Sequence, residues 1–321
     1  MKGLEIAREY WAEYGLPMLK DQFPEVLPYL AAGLCGSGSE CFGFDDEVSR
    51  DHDFEPGFCL FLPGEDVVDR RTAFLLERAY AKLPREFMGL KRSLMQPVGG
   101  ARKGVIRTED FFRDKLGTAD GDMTLQMWLT IPESYLAEAV NGEIFYDGYG
   151  EVTRIRAALA AYPEDIRRKR LAGSLLLMAQ SGQYNNRRCL QHGESGAAQL
   201  AVAEFVRNAM NVFFLLNRTY QPYYKWAFRA LRQLPLFTLD AELLEYLLTT
   251  GNDTEAGDEF TPSLAEAKYD VMEGICADVI DELQNQQLTE AICGDLEKHA
   301  YSVNDGITDA GIRNLHILAA V

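Results

Sequence analysis

Near residue 150 the hydrophobic pattern of this chain changes its period, and that change limits the folds open to it. Upstream, short apolar runs bounded by glycine or proline alternate with longer stretches of helical spacing. "VLPYLAAGLCG" and "DFEPGFCLFL" have strand composition, and "GVIRTEDFF" runs from a strand into a helix. Leu4, Ile6, Ala7, Tyr10, Trp11, Tyr14 and Leu16 form a helical stripe, as do Val67, Phe74, Leu75, Ala79 and Leu83. "TLQMWLTIPESYLAEAV" reads as a helix pair broken at Pro132, "GEIFYDGYGEV" as a strand followed by a glycine-rich turn, and residues 84–104 as a loop-rich insertion. Downstream, every periodic segment is helical. In "SLAEAKYDVMEGICADVIDELQ", Leu264, Val271, Met272, Ile275, Val279 and Leu283 share one face. The expectation is an α+β protein: a mixed sheet with helices over residues 1–148, then an all-helical bundle over 149–321.

Composition narrows the function classes. Of 321 residues, 47% are hydrophobic and 25% charged, which suits a folded globular chain. The formal charge of -17 repels polyanions, so duplex nucleic acid is excluded as a general partner, while a small phosphate ligand is not. The six cysteines form no C-x-x-C pair and there are four histidines, so a structural zinc site is not expected. Buried, reduced thiols and a cytoplasmic location are expected instead. No apolar run is long enough to span a bilayer, and the charge-interrupted N-terminus does not read as a signal peptide.

One stretch, "GSGSECFGFDDEVSRDHDF", carries chemistry. On a strand, Asp51 and Asp53 would project from one face. Two such carboxylates repel each other unless a proton, a cationic side chain or a divalent metal relieves them. Hard oxygen donors suit Mg2+, which binds through one or two carboxylates plus substrate phosphates. Gly36 and Ser37 stand at the end of an expected strand, where free backbone N–H groups and a hydroxyl would suit a phosphate. Ser39 reads equally as a second phosphate donor or a helix-start residue. The two ends of the stretch thus fit a phosphate and its metal.

The pattern Cys35-Gly36-Ser37, a spacer from Gly38 to Arg50, then Asp51-His52-Asp53-Phe54, resembles the signature of the polymerase-β nucleotidyltransferase superfamily. The helical second half resembles the architecture of kanamycin nucleotidyltransferase and its relatives. "GEIFYDGYGEVTRIRAALAAYP" and "LLNRTYQPYYKWAFRALRQLP" resemble an uncharacterised bacterial family that joins the two parts. The resemblance implies transfer of a nucleoside monophosphate from a triphosphate, ATP first among them, to a small-molecule or protein acceptor. It implies that Asp51 and Asp53 hold Mg2+ and that Gly36 and Ser37 bind the β/γ phosphates of the nucleotide, with Ser39 a further nucleotide-binding candidate. Relatives often bring a basic residue from the helical domain to the triphosphate, and Lys225 is the candidate. One departure stands out: the family's third carboxylate has no counterpart, because Ile106 or Arg107 stands where it is expected. Glu109 and Asp110 read as first-turn acids of the following helix. This keeps open a second reading, a nucleotide-binding or regulatory protein without turnover, and a third, a toxin–antitoxin component on the same fold.

Other charged and aromatic runs have plainer readings. "EDIRRKR" reads as a solvated helix face, Arg187 and Arg188 as partners of Glu194, and Glu143 and Asp147 as strand-end and turn residues. Tyr220, Tyr223, Tyr224, Trp226 and Phe228 read as core, and His52 as a structural residue turned away from the carboxylates.

Overall fold

The strand "AAGL", Ala31–Leu34, is β1, and every residue in it is buried. In the computed structural model of the protein, which describes residues 1–48, 55–92, 103–255 and 262–321, it is a central strand of a four-stranded mixed sheet. β2, Cys59–Leu62, pairs antiparallel to it with Gly33 opposite Cys59. Two more strands complete the sheet: β5, Gly104–Arg107, runs parallel to β2, and β6, Glu143–Asp147, runs antiparallel to β1 on its other side. These registers gather the end of β1 and the starts of β2, β5 and β6 at one end of the sheet.

Helices cover this sheet. α1, Gly3–Tyr10, continues through a π-helical turn, Trp11–Gly15, into α2, Leu16–Gln22. Tyr10 and Trp11 pack on Phe58 with ring centroids 6.1 and 5.2 Å apart. From α3, Arg70–Ala81, Tyr80 packs edge-on against the same ring. The Tyr80 hydroxyl also accepts from the Phe58 N–H at 3.0 Å and donates to its carbonyl at 2.7 Å, so both backbone groups just ahead of β2 are satisfied. Between α3 and β5 lies a two-residue hairpin, β3 (Glu86–Phe87) and β4 (Leu90–Lys91). The sequence reads this segment as loop because strands this short show no alternation. Met88 and Gly89, both at positive φ, make the turn. After β5 come α4 (Thr108–Leu116), α5 (Leu125–Thr130), α6 (Glu133–Val140) and, beyond β6, α7 (Glu151–Ala158).

Contacts divide the chain into two compact units, residues 1–127 with 131–160, and residues 128–130 with 161–321. α7 thus belongs to the first unit rather than to the helical part that a 148/149 boundary assigns it to. The described residues of the second unit form helices and their connections, with no strand among them. Its helices are α8 (Glu164–Met178), which continues through a π-helical stretch, Ala179–Asn185, into α9 (Asn186–Gln191), then α10 (Ser195–Leu216), α11 (Tyr224–Leu231), α12 (Asp240–Thr249), α13 (Leu264–Asn285), α14 (Leu296–Asp305) and α15 (Ala310–Arg313).

α8 corrects the solvated-face reading of "EDIRRKR": Arg167, Lys169 and Arg170 are buried. Arg167 pairs with Glu164 at 2.8 Å and donates to the Leu215 carbonyl at 3.2 Å. Arg170 donates to the Trp128 carbonyl and lies over the Tyr162 ring. The Lys169 ammonium donates to Asn304 Oδ1 at 2.7 Å and to the carbonyls of Arg313 and Leu315 at 3.2 and 2.8 Å. Burial pulls its pKa down, because its partners are neutral oxygens. In the same way Lys268 serves Gln199, the Thr250 carbonyl and Asn252. The aromatic run is corrected as well, since Tyr220 is buried but Tyr223 and Tyr224 are exposed and Trp226 and Phe228 half-buried. Arg187 lies over the Tyr269 ring, and Arg188 donates to the Tyr184 hydroxyl.

Two stability measurements follow. Lys169→Met leaves two carbonyls and an amide oxygen short of a donor, so urea denaturation is expected to show a loss on the order of 2 kcal/mol. Asp240 is buried; burial first, and then the neighbouring Asp278, lift its pKa from 3.8 to about 6. A folded-state pKa above the unfolded one means the folded chain binds the extra proton. The stabilisation is therefore complete below about pH 4 and disappears as the pH rises through about 6. Asp240→Asn is expected to abolish that decline and to raise stability near pH 7.5 by up to about 3 kcal/mol. Denaturation of both proteins at pH 4 and pH 7.5 checks it.

Candidate functional site

The Gly36-Ser37 turn sits where β1 leaves the sheet, and the structure shows how it is held. Gly36 has φ of +102°, a conformation that L side chains rarely adopt, and an added Cβ would press on the Phe111 ring. Its N–H donates to Asn141 Oδ1 at 2.8 Å, and its carbonyl accepts from Asn141 Nδ2 at 2.8 Å. Gly36 therefore has no N–H to offer a phosphate, and its contribution is the shape of the turn. Asn141 is the C-cap residue of α6. Its own carbonyl, with that of Val140, accepts from the Arg156 guanidinium of α7 at 2.7 and 2.8 Å. Gly142 follows; its N–H donates to the Cys41 carbonyl at 2.8 Å, and a side chain there would collide with the Leu34 carbonyl.

Ser37, half-buried, lies between two charged groups. Its hydroxyl donates to Glu138 Oε2 at 2.8 Å and accepts from Lys115 Nζ at 3.0 Å. Lys115 reaches Glu138 at 2.8 Å and Asp114 at 3.3 Å. Burial pulls the Lys115 pKa down, but the bonds to Glu138 and Asp114 outweigh it and leave the ammonium above its ordinary value. Lys115 comes from the last turn of α4 and Glu138 from the last turn of α6, and the packing of these two helices brings the pair to the turn. Ser39 precedes a single 3-10 turn, Glu40–Phe42, and its side chain caps nothing there. The N–H groups of Ser37, Gly38 and Ser39 find no acceptor among the described residues.

Behind the turn lies a second ion pair. The buried Glu40 carboxylate is 3.6 Å from Lys103 Nζ, which also donates to the Glu55 carbonyl at 2.7 Å. Lys103 thereby ties together the two described segments that flank Asp51 and Asp53. Those two aspartates and His52 lie outside the described residues. Among the described residues, no group of three or more His, Cys, Asp and Glu side chains has a metal-holding arrangement. Cys35, Cys41 and Cys59 are buried thiols outside any disulfide; burial raises all three, Cys35 to about 11 even with Arg156 and Lys115 pulling it down. The expectation of buried thiols holds for these and Cys276, whereas Cys189 is partly exposed and Cys293 exposed.

Strand β5 carries no acid. Arg107 donates to the Pro63 carbonyl at 2.6 Å, and Glu109 and Asp110, in the first turn of α4, pair with Arg113. Glu143 and Asp147 are the end residues of β6; Glu143 pairs with Arg8, and Asp147 accepts from the N–H groups of Gly150 and Thr153. Lys225 is in the second unit, exposed on α11, with its ammonium 4.9 Å from the centre of the Trp226 ring.

Sequence reasoning names Gly36, Ser37 and Ser39 but misses Lys115, Glu138, Asn141 and Lys103. The first three of these stand in the last turn or at the cap of their helices, where cations, acids and asparagine have ordinary capping explanations. The Asn141-Gly142 dipeptide is the one local signal that could have drawn attention to the end of α6.

Residues 128–227 match the family model for a domain of unknown function, DUF4037. No curated protein matches the chain. Among solved structures, the chain is similar to a nucleotidyltransferase-like protein from Exiguobacterium sibiricum 255-15. The identity is 13%, over 91% of this chain and 80% of that one, with a TM-score of 0.35. Asn141→Ala removes both bonds to Gly36, and a stability loss of about 1–3 kcal/mol is expected in urea denaturation, together with a smaller loss for Asn141→Asp, which keeps the acceptor.

Proposed function

We propose that this chain is a magnesium-dependent nucleotidyltransferase that binds a nucleoside triphosphate at the Gly36-Ser37 turn. The observation that carries the reading is the preparation of that turn. At the end of the sheet where β1 stops and β2 begins, a serine hydroxyl stands 3.0 Å from a lysine ammonium on a loop whose shape Asn141 fixes. The Asp51-x-Asp53 motif enters the sequence between those two strands. A hydroxyl, a cation and N–H groups without an acceptor among the described residues are what a phosphate oxygen needs.

Asp51 and Asp53 would hold the magnesium, whose chemistry is to neutralise charge on the phosphate oxygens. The chain's own residues do the rest. Ser37 and Lys115 take the terminal phosphates and orient the triphosphate, so that an acceptor hydroxyl attacks the α-phosphorus. The hydroxyl gives its proton to water, a new phosphoester bond forms, and the bond to the bridging oxygen breaks with pyrophosphate as the leaving group. The acceptor is a small molecule or a protein.

A specific observation favours a second reading, nucleotide binding without turnover. β5, parallel to β2, contributes no carboxylate, and the acids that follow it are paired with Arg113. The two readings separate in one assay. With a triphosphate labelled at the α-phosphate, transfer to an acceptor supports the enzyme, whereas retention without transfer supports the binding protein. In either case Asp53→Asn is expected to weaken magnesium-dependent triphosphate binding roughly tenfold or more while leaving the fold intact. Unchanged affinity with magnesium present would remove Asp53 from the site.

A further inference from the structure

Ser37, Lys115 and Glu138 close a triangle in which every pair is within 3.0 Å: hydroxyl to carboxylate 2.8 Å, ammonium to hydroxyl 3.0 Å, ammonium to carboxylate 2.8 Å. The Lys115 and Glu138 side chains are 14% and 16% exposed, so the pair is mostly desolvated yet reachable. A hydroxyl donor and an ammonium that converge on one carboxylate oxygen, Glu138 Oε2, already form an oxyanion site, and Glu138 is its occupant.

We propose that Glu138 is an internal stand-in for a polyphosphate, and that the terminal phosphates of an incoming ligand displace its carboxylate from Lys115 and Ser37. The inference rests on the nucleotide reading above for the identity of the ligand, and it needs no metal.

The mechanical basis is a division of labour within α6. Asn141, three residues beyond Glu138, holds Gly36 by two hydrogen bonds, and Arg156 holds the Asn141 carbonyl. The turn therefore keeps its shape whether or not Glu138 stays. Glu138 contributes side-chain contacts alone to Ser37 and Lys115, so its carboxylate can rotate away without disturbing the backbone of the turn. Without Glu138, a half-buried lysine beside an empty turn would be poorly solvated. With Glu138, the cation is kept charged and aimed at Ser37 until an anion of higher charge arrives. The chain's formal charge of -17 repels a polyphosphate at long range, which gives a shielded local cation more weight. Specificity follows from the same arrangement: a ligand with a single weak charge does not repay the loss of the Lys115–Glu138 contact, whereas a di- or triphosphate does.

The test uses the full chain and inorganic tripolyphosphate in chelator-treated, metal-free buffer at constant ionic strength, read by calorimetry. The parent is expected to bind. Lys115→Met should weaken binding tenfold or more, and Lys115→Arg should restore part of it. Glu138→Gln should tighten binding at least threefold, because the competing charge is gone while an amide oxygen still accepts from Ser37. Should Lys115→Met fold poorly because Glu138 is left unpaired, the double variant Lys115→Met/Glu138→Gln removes both charges, and it should bind as weakly as Lys115→Met is expected to. If Glu138→Gln weakens binding, Glu138 is a brace and not a stand-in, and the proposal is overturned. Binding that is unchanged in Lys115→Met, or in the double variant, overturns it too. A parent that binds magnesium triphosphate with the expected dependence on Asp53 but shows no effect of Lys115 sinks the displacement proposal and leaves the nucleotidyltransferase reading standing. Tripolyphosphate binding that depends on Lys115, with no magnesium-dependent nucleotide binding, does the reverse. A parent that binds neither ligand overturns both.

Discussion

The pair of hydrogen bonds between the Asn141 side chain and the backbone of Gly36 is the contact on which the candidate site depends. It joins the end of β1 to the end of α6, residues 105 apart in the chain. Gly36 supplies the positive φ that turns the chain out of the sheet, and Asn141 satisfies the two backbone groups that this turn strands. Everything else in the site is placed relative to that joint. Ser37 follows Gly36, and Glu138 precedes Asn141 by one helical turn, so the same joint brings the hydroxyl and the carboxylate together. Lys115 then arrives from α4, which packs on α6.

The two units handle buried cations in different ways, and the contrast bears on function. In the helical unit Lys169 and Lys268 are buried among amide oxygens and backbone carbonyls, several of them near helix ends, where a cation meets the negative end of the dipole. Such lysines brace the fold, and no exchangeable anion is among their named partners. In the first unit Lys103 and Lys115 are each matched to a carboxylate, Glu40 and Glu138, and both flank the Gly36-Ser37 turn. Of the two, Lys103 is anchored further by the Glu55 carbonyl and ties chain segments together. Lys115 shares its carboxylate with the serine of the motif, and this is the arrangement suited to exchange.

Much of the architecture can be read from local pattern. β1, β2, β5 and β6 are short apolar runs bounded by glycine or proline. Beyond residue 160 the helices keep their 3.6-residue period outside the π-helical stretch Ala179–Asn185, and Pro132 separates α5 from α6 as its ring requires. The hairpin of β3 and β4 was not legible, because two residues per strand are too few for alternation to register. Nor was the interior position of Arg167, Lys169 and Arg170. A run of basic residues on a helix has the same appearance whether its partners are water or the carbonyls of α10, α15 and the α5 end.

For the site, sequence by itself determined the α+β class and the change to helices near residue 150, and it singled out the Gly36-Ser37 and Asp51-x-Asp53 motif, to which the proposed function gives phosphate and metal roles. These follow from residue type and spacing within a few positions, which is the range over which backbone preference and periodicity act. Only the tertiary structure decided that the Gly36 N–H is already taken, that Ser37 stands between an ammonium and a carboxylate, and that Lys103 ties Glu40 to Glu55. Each of these contacts spans at least 48 residues where it leaves its own segment, and depends on how helices pack. A lysine, a glutamate and an asparagine at two helix ends have no chemical meaning until the fold sets them around one serine.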